Sequence, residues 1–218
     1  GVTVDPSVLT TDAVAMINDP EIDIIVELIG GTTIAKKFML EAFKAGKPVV
    51  TANKALLAEC GDEVFGAAKD AGVDLYYEAS VAGGIPLIKS LREGLVGNNV
   101  SSIFGILNGT CNYILTRMVN EGIDFDPVLK EAQEAGFAEA EPSLDIDGHD
   151  TAHKIVLLAS LAFGHAVTLD EINISGIRGI DGADLDYAGQ MGYSVKLLAV
   201  LKNSEGGIEV RVHPTLIP

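Results

Sequence analysis

The chain has 218 residues, 48% hydrophobic and 21% charged, with a formal net charge of −16. That size and apolar content give a buried core in one or two domains and exclude a disordered chain. The negative balance argues against nucleic acid and anionic membrane as partners, since both would repel it.

Only Cys60 and Cys111 are present, without the paired spacing of a disulfide framework or zinc site, so a cytoplasmic compartment is expected. The longest apolar stretch, Ile155–Phe163, is too short to span a bilayer. The chain opens at Gly1 without methionine or a signal-like start and runs directly into a short helix and a buried strand, which reads as a fragment of something longer.

Ile22–Ile29 is rich in β-branched residues and predicts a parallel strand covered on both faces. Gly30, Gly31, Thr32 and Thr33 then turn into a helix with apolar residues at Ile34, Phe38, Ala42 and Ala45, closed by Gly46. Residues 48–51 predict a second strand, Asn53 and Lys54 a loop, residues 62–71 a helix and residues 74–78 a third strand. Strand–helix–strand–helix–strand at this spacing implies a parallel α/β sheet with right-handed crossovers.

From about residue 80 the rhythm changes. Pro86 enters a helix where its missing N–H costs nothing. A strand at 100–107 leads through Asn108, Gly109 and Thr110 into a helix reaching Met118, and another helix spans about 127–135. The acidic loop Glu139–Asp150 precedes a strongly apolar helix, Thr151–Phe163. Late strands at 172–176, 195–201 and 208–212 imply a mixed sheet with helices on one side. The expected architecture is α/β: an incomplete parallel, Rossmann-like nucleotide-binding domain over 1–80, then an α+β substrate and dimerisation domain over 81–218.

The acidic loop carries the densest chemistry. Asp150 and Lys154 lie four apart and share a helix face, with the acid nearer the N-terminus. The apolar run behind Lys154 desolvates its ammonium while the carboxylates favour the charge, a balance in which an amine can exchange a proton with an alcohol or carbonyl oxygen. A solvated surface pair would show the same spacing. His149 and His153, with Asp145 and Asp147, offer a rival divalent-metal site, as in a metal-dependent hydrolase, although no glutamate lies between the histidines in the HExxH manner. Lys54 follows a predicted parallel strand at the end where open α/β sheets bind ligands. Gly30 and Gly31 stand at another strand end and open a helix whose N–H groups face outward, an arrangement a plain tight turn also explains. No GxGxxG fingerprint occurs, which keeps a non-catalytic α/β binding module open.

Five segments, Val26–Gly31 (VELIGG), Val50–Leu57 (VTANKALL), Glu78–Pro86 (EASVAGGIP), Asn108–Leu115 (NGTCNYIL) and Glu139–Lys154 (EAEPSLDIDGHDTAHK), resemble successive motifs of the homoserine dehydrogenase family, in its order and spacing. The resemblance implies an oxidoreductase that reversibly reduces L-aspartate 4-semialdehyde to L-homoserine with NADPH or NADH, on the route to threonine, methionine and isoleucine. It implies Lys154 as the proton donor and acceptor, and Glu139 and Asp150 as ligands of the substrate's amino and hydroxyl ends. By the same likeness Lys54 lies near nicotinamide and substrate, and Ile29, Gly30 and Gly31 lie along the cofactor. The carbonyls of Glu78, Val81, Gly83 and Ile85 match a monovalent cation site for sodium or potassium. A homodimer built through the second domain's sheet is also implied. The family's N-terminal glycine-rich strand–turn and its C-terminal glycine-rich segment have no counterpart in these residues.

Overall fold

The computed structural model describes residues 3–218, so the reading of the opening residue Gly1 lies outside the described residues. The chain divides into two compact units, Gly1–Lys89 and Ser90–Pro218.

In the first unit a 3-10 turn at Pro6–Val8 precedes α1 (Ala13–Asn18), whose first turn is capped by the Asp12 carboxylate. Then follow β1 (Ile25–Glu27), α2 (Ile34–Lys44), β2 (Val49–Thr51), α3 (Lys54–Ala71), β3 (Leu75–Tyr76) and the single turn α4 (Leu87–Lys89). The strands pair in the order β1-β2-β3, all parallel. This is the expected Rossmann-like pattern, with corrections at β1, α2 and α3.

β1 is much shorter than the Ile22–Ile29 run, because the Glu27 side chain folds forward to accept the N–H groups of Ile29 and Gly30, which ends the strand. It is also not covered on both faces. Ile25, Val49 and Leu75 point into the core, while Val26 and Tyr76, 59% and 52% exposed, lie on the opposite face. On α2 the buried stripe is Ala35, Met39, Ala42 and Phe43, with Ile34 and Ala45 outside it. The helix still ends as expected, with Gly46 at φ +74 and its N–H on the Phe43 carbonyl. Finally, α3 begins at Lys54, far ahead of residue 62, so Lys54 opens a helix and does not sit in a loop. Asn53 caps it by accepting Leu56 N at 3.1 Å. A break at Cys60 (φ −128, ψ 20) disguises the first half of this helix in the sequence pattern.

The second unit opens with a π-turn at Ser90–Gly94 and continues through β4 (Ser102–Gly105), α5 (Gly109–Glu121), α6 (Phe125–Glu134), α7 (Ser143–Ile146), α8 (His149–Phe163), β5 (Asn173–Ile174), α9 (Gly182–Gln190), β6 (Ser194–Ser204) and β7 (Gly207–Ile217). The sheet order is β4-β6-β7-β5, antiparallel except for the parallel β5–β7 pair. Helix α8 packs on β6 and β7, and α5 and α9 on β6. Ile155, Val156, Leu157, Leu158 and Ala159 are all buried, so α8 is apolar nearly all round, as a core helix must be. The Lys196 ammonium on β6 donates to Asn112 Oδ1 and Thr116 Oγ1 at 2.9 and 2.8 Å and locks α5 onto the sheet.

Helix α8 starts at His149, two residues before the expected Thr151, because Gly148 adopts φ +91 and turns the chain directly into it. Asp150 therefore lies inside the first helical turn, where a carboxylate is favoured by the helix dipole. α9 was not expected. Its start is a reciprocal capping box between Asp181 and Asp184, using aspartate where the usual signature has glutamate.

Candidate active site

In the second unit the end of β4, the start of α5, the acidic loop and the start of α8 converge. Lys154 Nζ donates to the Leu107 carbonyl and to Asp150 Oδ2, both at 2.6 Å. The two side chains are 17% and 7% exposed, so this is a largely buried pair and not the solvated surface contact that the spacing alone allowed. Asn108 Nδ2 donates to the same Asp150 oxygen at 2.8 Å and to Asp145 Oδ1 at 2.7 Å. The Thr110 hydroxyl lies 2.9 Å from Asp145 Oδ2 and 3.0 Å from the Phe137 carbonyl. One ammonium, one amide and one hydroxyl thus supply the donors that offset the desolvation of two carboxylates.

Glu139 stands apart from this network. It is exposed, and its main-chain carbonyl accepts from Gln133 Nε2 at 3.0 Å. Asn108 and Thr110 were not singled out from the sequence as site residues. The available signal was asparagine immediately before a helix, and Asn108 Oδ1 does cap α5 by accepting Cys111 N at 2.8 Å.

The rival metal cluster does not assemble. Among the described residues no three His, Cys, Asp or Glu side chains are placed to hold a metal ion. Asp145 is taken by Asn108 and Thr110. Asp147 is held by a bidentate Arg178, Nε to Oδ1 at 2.9 Å and Nη2 to Oδ2 at 3.0 Å, and this guanidinium keeps its carboxyl below the usual range. His153 is buried on α8.

Cys111 lies behind the acids with its thiol 3.2 Å from the Asp145 carbonyl. Burial, then the carboxylates of Asp145, Asp150 and Asp147, push its pKa up to about 12. The thiolate is the reactive form, so the folded protein is expected to leave Cys111 unmodified by iodoacetamide at pH 8. Peptide mass spectrometry checks this, and rapid native labelling at Cys111 would contradict it.

In the first unit the C-terminal ends of β1 and β2 are joined by a second buried network. Glu27, 4% exposed, accepts Ile29 N and Gly30 N at 2.8 and 3.0 Å on one oxygen and the Thr51 hydroxyl at 2.6 Å on the other. Asn53 Nδ2 donates to the Gly31 carbonyl at 2.8 Å. The turn is therefore set by side chains from two strands, and Gly30 and Gly31 have φ of +81 and +73, which side-chain-bearing residues rarely adopt. It borders a cavity of about 270 Å³ lined by Glu27, Ile29, Gly30, Gly31, Asn53 and Lys54. Leu28 and Ile29 are 77% and 61% exposed beside it. Open space next to bare backbone, an apolar flank and a cationic side chain suit an anionic ligand carrying flat rings, so the residues fit part of a dinucleotide.

Glu78, Val81, Gly83 and Ile85 fall in one tight loop of the same unit. Left-handed Ala82 and Gly83 (φ +63 and +58) redirect its carbonyls. The Glu78 carboxylate is used within the chain, accepting Ile88 N at 3.0 Å and Lys89 N at 2.8 Å, and the Ile85 carbonyl accepts Leu87 N at 2.8 Å. The oxygens left over are main-chain ones, a donor set of the kind hard cations take. Among the described residues no helix is long and apolar enough to cross a membrane.

In class, then, the chain is a Rossmann-like α/β unit followed by an α+β unit holding a buried lysine–aspartate pair. Residues 86–218 match the family model described as homoserine dehydrogenase, and residues 2–78 the one described as homoserine dehydrogenase, NAD binding domain. A homoserine dehydrogenase of Synechocystis sp. is 50% identical over 99% of this chain and 51% of its own length. The crystal structure of a homoserine dehydrogenase from Thiobacillus denitrificans superposes with a TM-score of 0.94 at 50% identity, over 96% of this chain and 48% of that one. A hyperthermophilic archaeal homoserine dehydrogenase in complex with NADPH superposes at 0.81 with 28% identity, over 96% of this chain and 60% of that one. The chain belongs to the homoserine dehydrogenase family. It spans about half the length of the curated relatives it matches.

Proposed function

We propose that the protein interconverts L-aspartate 4-semialdehyde and L-homoserine with a nicotinamide cofactor, NADP or NAD, in threonine, methionine and isoleucine biosynthesis. The observation that carries the reading is the Lys154 ammonium, largely buried and 2.6 Å from both the Leu107 carbonyl and Asp150. Those two acceptors fix its direction and leave a third N–H for a substrate oxygen. In the reductive direction Lys154 gives a proton to the aldehyde oxygen as it becomes an alcohol, and in reverse the neutral amine takes it back. Asp150, 2.6 Å away, steadies the ammonium. Glu139, exposed and anionic, suits the substrate's ammonium group, and Asp150 its hydroxyl end. The bound cofactor supplies the hydride. Ile29, Gly30, Gly31 and Lys54 border the cavity assigned to it, a reading supported by the NAD-binding family match and by the archaeal relative's complex with NADPH.

A sodium or potassium ion held by the carbonyls of Glu78, Val81, Gly83 and Ile85 belongs to the same proposal. So does a cytoplasmic homodimer formed through the second unit. Its support is a cleft of about 320 Å³ lined by Ile180, Tyr187, Met191, Val195 and Leu216, with Tyr187 65% and Met191 61% exposed. The domain roles follow: residues 1–80 for nucleotide binding, residues 81–218 for substrate and dimerisation.

Steady-state oxidation of L-homoserine by the intact protein, followed at the reduced-nicotinamide absorbance, tests the activity. Turnover on the order of 1–1,000 s⁻¹ is expected, and it should survive exhaustive EDTA treatment. No homoserine-dependent signal with either NADP or NAD would refute the reading.

A further inference from the structure

We infer that Asn108 is a positioning residue for proton transfer, setting Asp150 at a fixed place beside Asp145 and so fixing the carboxylate that aims the Lys154 ammonium. The inference rests on the proton-transfer reading above and adds a residue to it.

Asn108 is 4% exposed, and three of its side-chain hydrogen bonds run to separate elements. Its oxygen accepts Cys111 N at 2.8 Å and so belongs to the start of α5. Its two N–H donors go to different acids, one to Asp145 Oδ1 in α7 at 2.7 Å and one to Asp150 Oδ2 in α8 at 2.8 Å. This orientation of the amide is the one the partners permit. Reversed, it would set a carbonyl oxygen against two carboxylates and an NH₂ against a backbone N–H.

A primary amide is the group this place requires. Its two donors diverge at a fixed angle and carry no charge, so each carboxylate gains a neutral donor while their separation is set. The Asp145 backbone is anchored as well, since its carbonyl faces the Cys111 thiol at 3.2 Å, and its other carboxylate oxygen faces Thr110. Both carboxylate oxygens of Asp145 thus have donors, and Asp150 Oδ2 is held between Asn108 and Lys154. Without the amide, Asp150 Oδ2 loses a donor at 2.8 Å, and the carboxylate that helps to aim the Lys154 ammonium can shift and carry the amine with it. Small displacements of a proton-transferring group cost rate steeply.

Serine tests this, because it caps helices as well as asparagine does but offers no pair of diverging donors. In the intact protein, Asn108→Ser is expected to lower kcat about tenfold or more, yet less than twofold when introduced into Lys154→Ala. A residue acting through Lys154 has nothing further to lose once that amine is gone. A purely structural cap would cost the same factor in both backgrounds, which would overturn the inference. So would Asn108→Ser turning over within twofold of the unmodified protein while Lys154→Ala is strongly impaired. Should Lys154→Ala itself retain full turnover, the proton-transfer reading fails and this one with it, and the two failures are told apart by that variant alone. If the serine variant does not fold, Asn108→Gly, also tolerated at a helix N-cap, carries the same test with the same expected pattern.

Discussion

Replacing Lys154 with alanine is expected to lower kcat for homoserine oxidation by about a hundredfold or more, the usual worth of a positioned general acid–base. The effect should fall on kcat and kcat/KM together, because proton transfer is made only on the way to the transition state. The substitution also removes the cation from a largely buried pair, and breaking such a pair costs roughly 3–5 kcal/mol. Asn108 still donates to Asp150, so the variant folds with a lowered thermal midpoint, and kcat is compared well below both midpoints. Steady-state kinetics at the nicotinamide absorbance, with circular dichroism as the check on folding, measure both effects.

The largest expected loss of stability lies elsewhere, at Gly176. A Cβ built on this residue would stand 2.1 Å from the Ile146 carbonyl oxygen and 2.4 Å from Asp147 Cα. Both obstacles are backbone, so no side chain can swing aside. Ile177 N donates to the same Ile146 carbonyl at 2.8 Å, which draws the two segments together just after β5. Gly176→Ala must push the acidic loop off the sheet or break that bond, and overpacking of this kind costs about 3 kcal/mol or more. In a body of this size that corresponds to a fall in thermal midpoint of roughly 6–12 °C. The loop moved is the one between Asp145 and Asp150, so activity should fall with stability. A variant melting within about 1 °C of the unmodified protein would show that the close approach is not maintained in solution.

Local spacing made part of this site legible. Asp150 and Lys154 announce themselves by an i,i+4 interval ahead of an apolar helix, and their burial follows from α8 being wrapped on every side. Their partners do not, because Asn108 and Thr110 lie far upstream and reach the acids only through the packing of α5 against α7. The same holds for Glu27. Within a β-branched run it resembles a strand residue, and its role depends on Thr51 from the neighbouring strand.

The fold shows a similar division. The order of elements and the mixed second sheet follow from periodicity and turn residues. Element ends were less legible where side chains set them, as when Glu27 folds forward to end β1. Helix α3 hid its first half behind the irregular Cys60, although Asn53 ahead of Ala55, Leu56 and Leu57 was a usable start signal. Helix α9 was missed because Gly182 and Gly189 lower its apparent propensity, while its capping box lends it a defined start.

Chemical rescue tests the central claim most directly. If Lys154 moves the proton, small primary amines such as methylamine added to the Lys154→Ala protein should restore part of the lost kcat, by an amount that follows the amine's basicity. Full homoserine turnover by the alanine variant with no amine present would contradict the account.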